Sequence, residues 1–265
     1  MTVPKFTILH FCAIVSVGAS ILYAFFVEPR WIDVTHHSLG SMAPDEGIRV
    51  VQISDLHLQG FGPTEQRLAD QIVKLSPDLI VFSGDVVDRP DTLPFLRQFL
   101  SATGSTSKVA VFGNWEYWSD VDFKALTEVY SEVKTHLLIN QSVVFKIKNR
   151  QLNMLGLDDF TAGQPMAPFQ STDVGLRILI QHSPGYFEDH SALTAGVHDL
   201  CLSGHTHGGQ ITFFGIPVWT PRGSGKFQSG MYETKNCPLY VSRGIGTSIV
   251  RVRFGARPEI AVFDL

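Results

Sequence analysis

Seven side chains that bind divalent metals fall in five short clusters: Asp55-Leu56-His57, Gly84-Asp85, Gly113-Asn114, His182 and Gly204-His205-Thr206-His207. Carboxylate, amide oxygen and imidazole recur among them. Such a mixture can hold two divalent cations side by side, and two such ions clamp a phosphoryl group while activating a water. Taken singly each cluster is weak, because Asp-x-His and Gly-Asp are common turn sequences. The pair His205 and His207 is stronger, since side chains two apart on an extended segment face the same way.

What must position these residues is a set of strands. VVQIS leads to Asp55, LIVFSG to Asp85, VAVFG to Asn114, RILIQ to His182 and DLCLSG to His205. Open α/β sheets carry their sites at the carboxyl ends of strands, so five strand ends meeting at one edge would bring the clusters together. Strands are expected over 48–53, 78–82, 108–112, 176–181 and 198–202. A hairpin is expected with Asn149-Arg150 between strands 143–148 and 152–157. Residues 63–76 read as a helix, with Pro63 in the first turn and Leu68, Ile72 and Leu75 on one face. Further helices are expected over 91–101 and 120–132. From residue 211 on, the Gly- and Pro-rich tail reads as more strands.

The chain has 265 residues, 44% hydrophobic and 17% charged, enough for one large domain. A formal net charge of −4 argues against nucleic acid as a partner, which calls for a basic face. Three cysteines, Cys12, Cys201 and Cys237, do not make a disulfide framework. Cys201 and Cys237 are expected to be two buried thiols, with a bridge between them as the alternative.

Residues 6–27 contain no charged side chain, a run long enough to cross a bilayer as a helix. Trp31 follows at a plausible interface depth. The first reading is a membrane anchor. The second is a cleavable signal peptide, with small residues at Val17-Gly18-Ala19. Lys5 before the run, and Arg30 beside Glu28 and Asp33 after it, lean slightly toward an inside N-terminus with the main domain outside the cytoplasm. The chain thus divides into an anchor or signal segment (1–30), a polar connector (31–47) and one domain (48–265).

The order D-x-H, G-D, G-N, H, G-H-x-H from Asp55 to His207 resembles the calcineurin-like metallophosphoesterases. Gly204–Gln210 (GHTHGGQ), Ser229–Tyr232 (SGMY), Ser242–Gly246 (SRGIG) and the early Glu28–Trp31 (EPRW) resemble a membrane-associated branch of that family. This branch contains YaeI-like phosphodiesterases and UDP-2,3-diacylglucosamine hydrolases. The resemblance implies an α/β sandwich with two central mixed sheets flanked by helices, behind an N-terminal transmembrane helix in a bacterial inner membrane. It implies that Asp55, His57 and His207 hold one metal, that Asn114, His182 and His205 hold another, and that Asp85 bridges them. Asp85, Asn114 and His205 are therefore also the expected catalytic positions. Imidazole and carboxylate donors suit Mn, Fe or Zn better than Ca, and Mn is expected. The implied substrate is a phosphoester or pyrophosphate, with a lipid-linked UDP-diacylglucosamine as the specific candidate. The alternatives are a non-catalytic metal- and phosphate-binding module and a phosphatase of soluble esters.

Asp88, Trp115 and Glu116 are expected to surround the metal ligands and orient them. Trp115 departs from the family, in which His commonly follows the motif Asn and protonates the leaving group. An indole has no titratable proton near neutral pH. That change would favour leaving groups that need no proton, such as those of pyrophosphates. His136 and His190 are other proton sources in the sequence. Arg89 and Arg243 are candidates to meet a phosphate, or else pair with acids. Residues 160–169 and 213–219 are candidates to bind acyl chains.

Overall fold

The computed structural model describes residues 5–39, 47–166, 175–189, 198–235 and 237–265. Two six-stranded mixed sheets pack face to face. The first sheet contains β1 (Asp33–Ser38), β2 (Arg49–Ile53), β3 (Leu79–Phe82), β4 (Ser107–Ala110), β5 (Thr135–Leu137) and, from the far end of the chain, β14 (Glu259–Asp264). Its order is β1-β14-β2-β3-β4-β5, and β2 to β5 are parallel. The second contains β6 (Gln141–Ile147), β7 (Arg150–Gly156), β8 (Leu176–Ile180), β9 (Leu200–Ser203), β12 (Gly230–Glu233) and β13 (Pro238–Val241). Its order is β12-β13-β9-β8-β7-β6. A small hairpin, β10 (Thr212–Phe213) and β11 (Ile216–Pro217), stands apart from both.

Strand periodicity sorts the apolar residues. Val50, Leu79, Val81 and Val109 face Met154, Ile178 and Leu202 between the sheets. Their neighbours Val51, Ile53, Ile80 and Phe82 face outward. They meet α2 (Pro63–Lys74), α3 (Leu93–Ala102) and a further helix (Phe123–Glu132), which bury Leu68, Ile72, Leu96, Phe99 and Leu126 against them. Successive strand residues on opposite faces, both buried, require near-continuous apolar runs, and these are the runs in the sequence. The expected hairpin is present as β6 and β7, joined by Lys148 and Asn149 in left-handed backbone.

Two expectations need correction. Cys201 and Cys237 form a disulfide rather than two thiols. Cys201 lies in β9, and Cys237 immediately precedes β13, which pairs with β9 in parallel and brings the two Cα atoms to 5.9 Å. The connector 31–47 also contributes a strand, since β1 pairs in parallel with β14 along its whole length. Its inward side chains are Asp33, Thr35 and His37, and Val34 points out. That inverted pattern hid it. His37 packs on Tyr240 and Phe263, with ring centroids 4.5 and 5.2 Å away.

Helix α1 (Lys5–Leu22) runs on through a wide turn (Tyr23–Val27) and a tight one (Glu28–Arg30). His10–Arg30 is long and apolar enough to cross a membrane by length and composition, and it is almost wholly exposed. Its end is fastened to the domain. Ala24 O accepts Arg253 N–H at 3.0 Å, the buried Glu28 carboxylate accepts Ala256 N–H at 2.7 Å, and Arg257 lies over the Trp31 ring.

Candidate metal centre

The five clusters converge at one edge of the sandwich. Adjacent parallel strands β2, β3 and β4 deliver Asp55, Asp85 and Asn114 from one sheet, and β8 and β9 deliver His182 and His205 from the other. Ligand atoms of Asp55, His57 and His207 lie within 4.8 Å of one another, as do those of Asp85, His182 and His205. All seven side chains, Asn114 included, are buried. The two groups touch: Asp85 Oδ2 is 3.1 Å from His182 Nε2 and 3.9 Å from His57 Nε2.

The backbone here is unusual. Asp55, His57, Asp85, His205 and His207 all have φ between 45° and 71°. Left-handed backbone at non-glycine residues costs roughly 1–3 kcal/mol each and clusters where function demands it. The glycines beside them make the close approach possible. A Cβ at Gly113 would strike the Asp85 carboxylate. One at Gly244, itself at φ +66°, would come within 2.6 Å of Asp55 Cβ. The SRGIG segment thereby folds against the Asp55 turn, where Ile245 and Gly246 N–H donate to Ser54 O and Asp55 O.

The donor chemistry fits divalent cations. His182 Nδ1–H donates to Ser83 O at 2.7 Å, which turns the buried Nε2 toward Asp85 Oδ2, 3.1 Å away. His205 Nε2–H donates to Arg222 O at 2.9 Å, which frees Nδ1. His57 Nε2 and His207 Nε2 face each other at 3.2 Å, and Asn114 Oδ1 is buried with no partner. Bare nitrogen and oxygen lone pairs pointing at one another in a buried site are what a cation satisfies. Burial and the charge of neighbours hold His207 well below the usual imidazole range, and burial with the neighbouring His182 lowers His205, so both are neutral donors. Burial works against the Asp85 carboxylate, yet His182 beside it holds it well below the usual range.

Of the expected surrounding residues, Glu116 is fully buried and accepts N–H groups from Gly113, Asp85, Val86 and Val87. Burial and Asp85 push its carboxyl up to about 7. Asp88 accepts from Gln59 at 2.7 Å and comes within 3.8 Å of His57 Nδ1. Trp115 donates its main-chain N–H to Asp85 Oδ1 at 2.8 Å and sets its ring edge-on to His57.

Other expected residues have partners of their own. Arg243 pairs with Asp33 and Glu259, and Arg89 pairs with Asp91. His136 packs on Phe145 in edge strand β5, and His190 lies outside the described residues. Phe160 packs on Tyr186 in the second sheet's outer core, and 167–169 lie outside the described residues. Sequence reading missed Arg253. It is fully buried and donates to Gly246 O, Ala256 O, Arg243 O and His207 O, tying together the loops beneath the His207 turn. Nothing in RVRF marks that arginine as interior.

Two pockets open on the centre. One has Asp85, Asn114, His205 and His207 at its base and walls of Trp118, Val218, Trp219, Ile249 and Val250. The other runs beside His57 and Trp115, past Asp88, Arg89 and Arg251, to Arg30 at the end of the N-terminal helix.

The calcineurin-like phosphoesterase profile matches residues 48–209, the stretch that carries all seven ligand candidates. The chain belongs to the calcineurin-like phosphoesterase family. As a member of it, the protein is a metallophosphoesterase that uses divalent metals. It is 33% identical to metallophosphoesterase YkuE of Bacillus subtilis, over 94% of this chain and 90% of that one. It is 27% identical to phosphodiesterase YaeI of Escherichia coli, over 96% and 95%. It is 29% identical to UDP-2,3-diacylglucosamine pyrophosphatase LpxG of Chlamydia muridarum, over 91% of each chain.

Proposed function

We propose that this phosphoesterase cleaves a phosphoester or pyrophosphate bond in an amphiphile held at a membrane. The observation that carries the reading is the apolar trough, whose base is Asp85, Asn114, His205 and His207 and whose walls are Trp118, Val218, Trp219 and Ile249. A polar substrate gains nothing from such walls, whereas an acyl chain does, at about 0.8 kcal/mol per buried CH₂. The relative LpxG is named for a UDP-diacylglucosamine lipid, and lipids of that type are the specific candidate here. The exposed apolar helix His10–Arg30 supports a single-pass membrane anchor.

In this reading Asp55, His57 and His207 hold one cation, Asn114, His182 and His205 hold a second, and Asp85 lies between them. Manganese is the expected metal. When bound, such a pair polarises a phosphoryl oxygen and supplies a nucleophile at neutral pH. The chain's own residues do the rest. Ser83 O and Arg222 O fix the tautomers of His182 and His205. Glu116 fixes the Asp85 turn, and Trp115 walls the site without offering a titratable proton. The leaving group must therefore depart without proton transfer from that position, which favours pyrophosphate over alkyl esters.

The Cys201–Cys237 disulfide supports an oxidising compartment for the domain, in agreement with the charge lean around α1. The test is acyl-chain dependence. The Mn-loaded full chain in mixed micelles should cleave UDP-2,3-diacylglucosamine with a kcat/KM that falls as the acyl chains are shortened. The Trp219→Ser variant should flatten that dependence. Equal rates for acylated and deacylated substrates would overturn the reading.

A further inference from the structure

The hairpin tip β10–β11 carries Phe213, Phe214 and Ile216, all exposed, with Phe214 fully so. Three neighbouring apolar side chains in water demand a partner. Their position says what it is. Phe213 packs on Phe254 with centroids 5.5 Å apart, and Phe254 also meets Tyr23, one turn inside the end of the apolar N-terminal run. Main-chain bonds lock this arrangement: Arg253 N–H to Ala24 O on one side, Thr212 N–H to Phe254 O on the other. The tip therefore sits level with the inner turn of the helix, held there by the Arg253-Phe254 segment between them.

Ile249 lines the trough together with Ile211 and Val218, the residues that flank the hairpin. It is 80% exposed at φ 64°, a conformation that a β-branched residue resists. The side chain of Gln210 holds it outward by bonding Ser248 N–H, Ser248 O and Val250 O. Phe214, at φ 53°, is strained in the same way. Arg222 lines the trough and Arg30 and Arg251 line the neighbouring pocket, and basic residues are among the side chains that bilayer interfaces favour.

We propose that the β10–β11 tip and Ile249 insert into the leaflet occupied by the end of α1, so that the apolar trough opens to lipid rather than to water. A lipid-borne substrate then reaches the metal centre sideways from the bilayer. The inference rests on the reading of α1 as a membrane segment and deepens the proposed function by fixing the route of entry.

The experiment uses full-length protein in phosphatidylethanolamine–phosphatidylglycerol nanodiscs, on a Cys12→Ser background. Single cysteines at Ile14→Cys, Phe214→Cys and, as a surface control, Lys124→Cys carry a polarity-sensitive fluorophore. Blue-shifted emission at positions 14 and 214, with position 124 as in water, is the expected result. A blue shift at 14 with position 214 matching 124 would overturn the proposal while leaving the anchor intact. A water-like signal at 14 would remove both. A companion variant, Phe213→Asp with Phe214→Asp, should lose turnover of a bilayer-borne substrate yet keep turnover of a soluble activated diester. Equal loss on both substrates would also count against the proposal.

Discussion

The Glu116 carboxylate accepts the main-chain N–H of Asp85 at 3.0 Å, and the same carboxylate accepts those of Gly113, Val86 and Val87. One buried acid thus fixes two ligand-bearing turns, those of Asp85 and Asn114, relative to each other. Glu116→Ala should leave four buried N–H groups without this partner. Supporting residues of this kind typically govern metal affinity by 10–100-fold. The expected outcome is a drop in metal affinity of that order, measured by titration calorimetry. Unchanged metal affinity in a folded Glu116→Ala protein would refute the role.

Trp115 stands where a proton donor is common in the family, with its ring against His57. Trp115→His should raise hydrolysis of alkyl phosphodiesters, by up to about 10²-fold, because general acid assistance is worth that much or more. Pyrophosphate hydrolysis should change little. The ratio of the two kcat/KM values is the readout, and an unchanged ratio would show that Trp115 does not set leaving-group preference.

The Cys201–Cys237 bridge closes a loop of sequence separation 36 across adjacent strands β9 and β13. Its removal in Cys237→Ser should cost about 2–5 kcal/mol and lower Tm accordingly. Thiol titration of the unfolded, unreduced protein should find one reactive cysteine, Cys12. A count of three would contradict the bridge.

The convergence of the candidate ligands was legible in the sequence because its physics is local: an apolar strand, then a short turn with a donor, five times over. The elements α2, β3 and the β6–β7 hairpin were legible for the same reason. β1 was not, because its inward residues are Thr35 and His37, whose burial depends on Tyr240 and Phe263 from distant strands. Arg253 was not, because its partners are carbonyl groups of several separate loops. The disulfide was not, because Cys201 and Cys237 meet only once β9 and β13 pair. The left-handed backbone at five of the ligand positions is likewise a property of the assembled edge.

Glu259 accepts bonds from Thr35, Tyr240 and Arg243, and although its burial opposes the charge, Arg243 and these donors hold its carboxyl below the ordinary range. A carboxyl lowered in the folded state stabilises the protein above its unfolded pKa, about 4.3. That stabilisation is lost as pH falls through the folded value. Tm should therefore fall steeply below about pH 4.3. Glu259→Gln should lower Tm near neutrality and flatten the acid limb; parallel acid limbs would contradict this assignment.

In the proposed reading Asp85 joins two metal sites into one hydrolytic centre. The most direct measurement is metal content and turnover on the same samples, for the wild type and Asp85→Asn. UDP-2,3-diacylglucosamine and an activated phosphodiester would be offered side by side. The expected result is two divalent ions per wild-type chain with hydrolysis of the lipid, and loss of metal and turnover together in Asp85→Asn. A wild-type chain fully loaded with metal that cleaves neither substrate would contradict it.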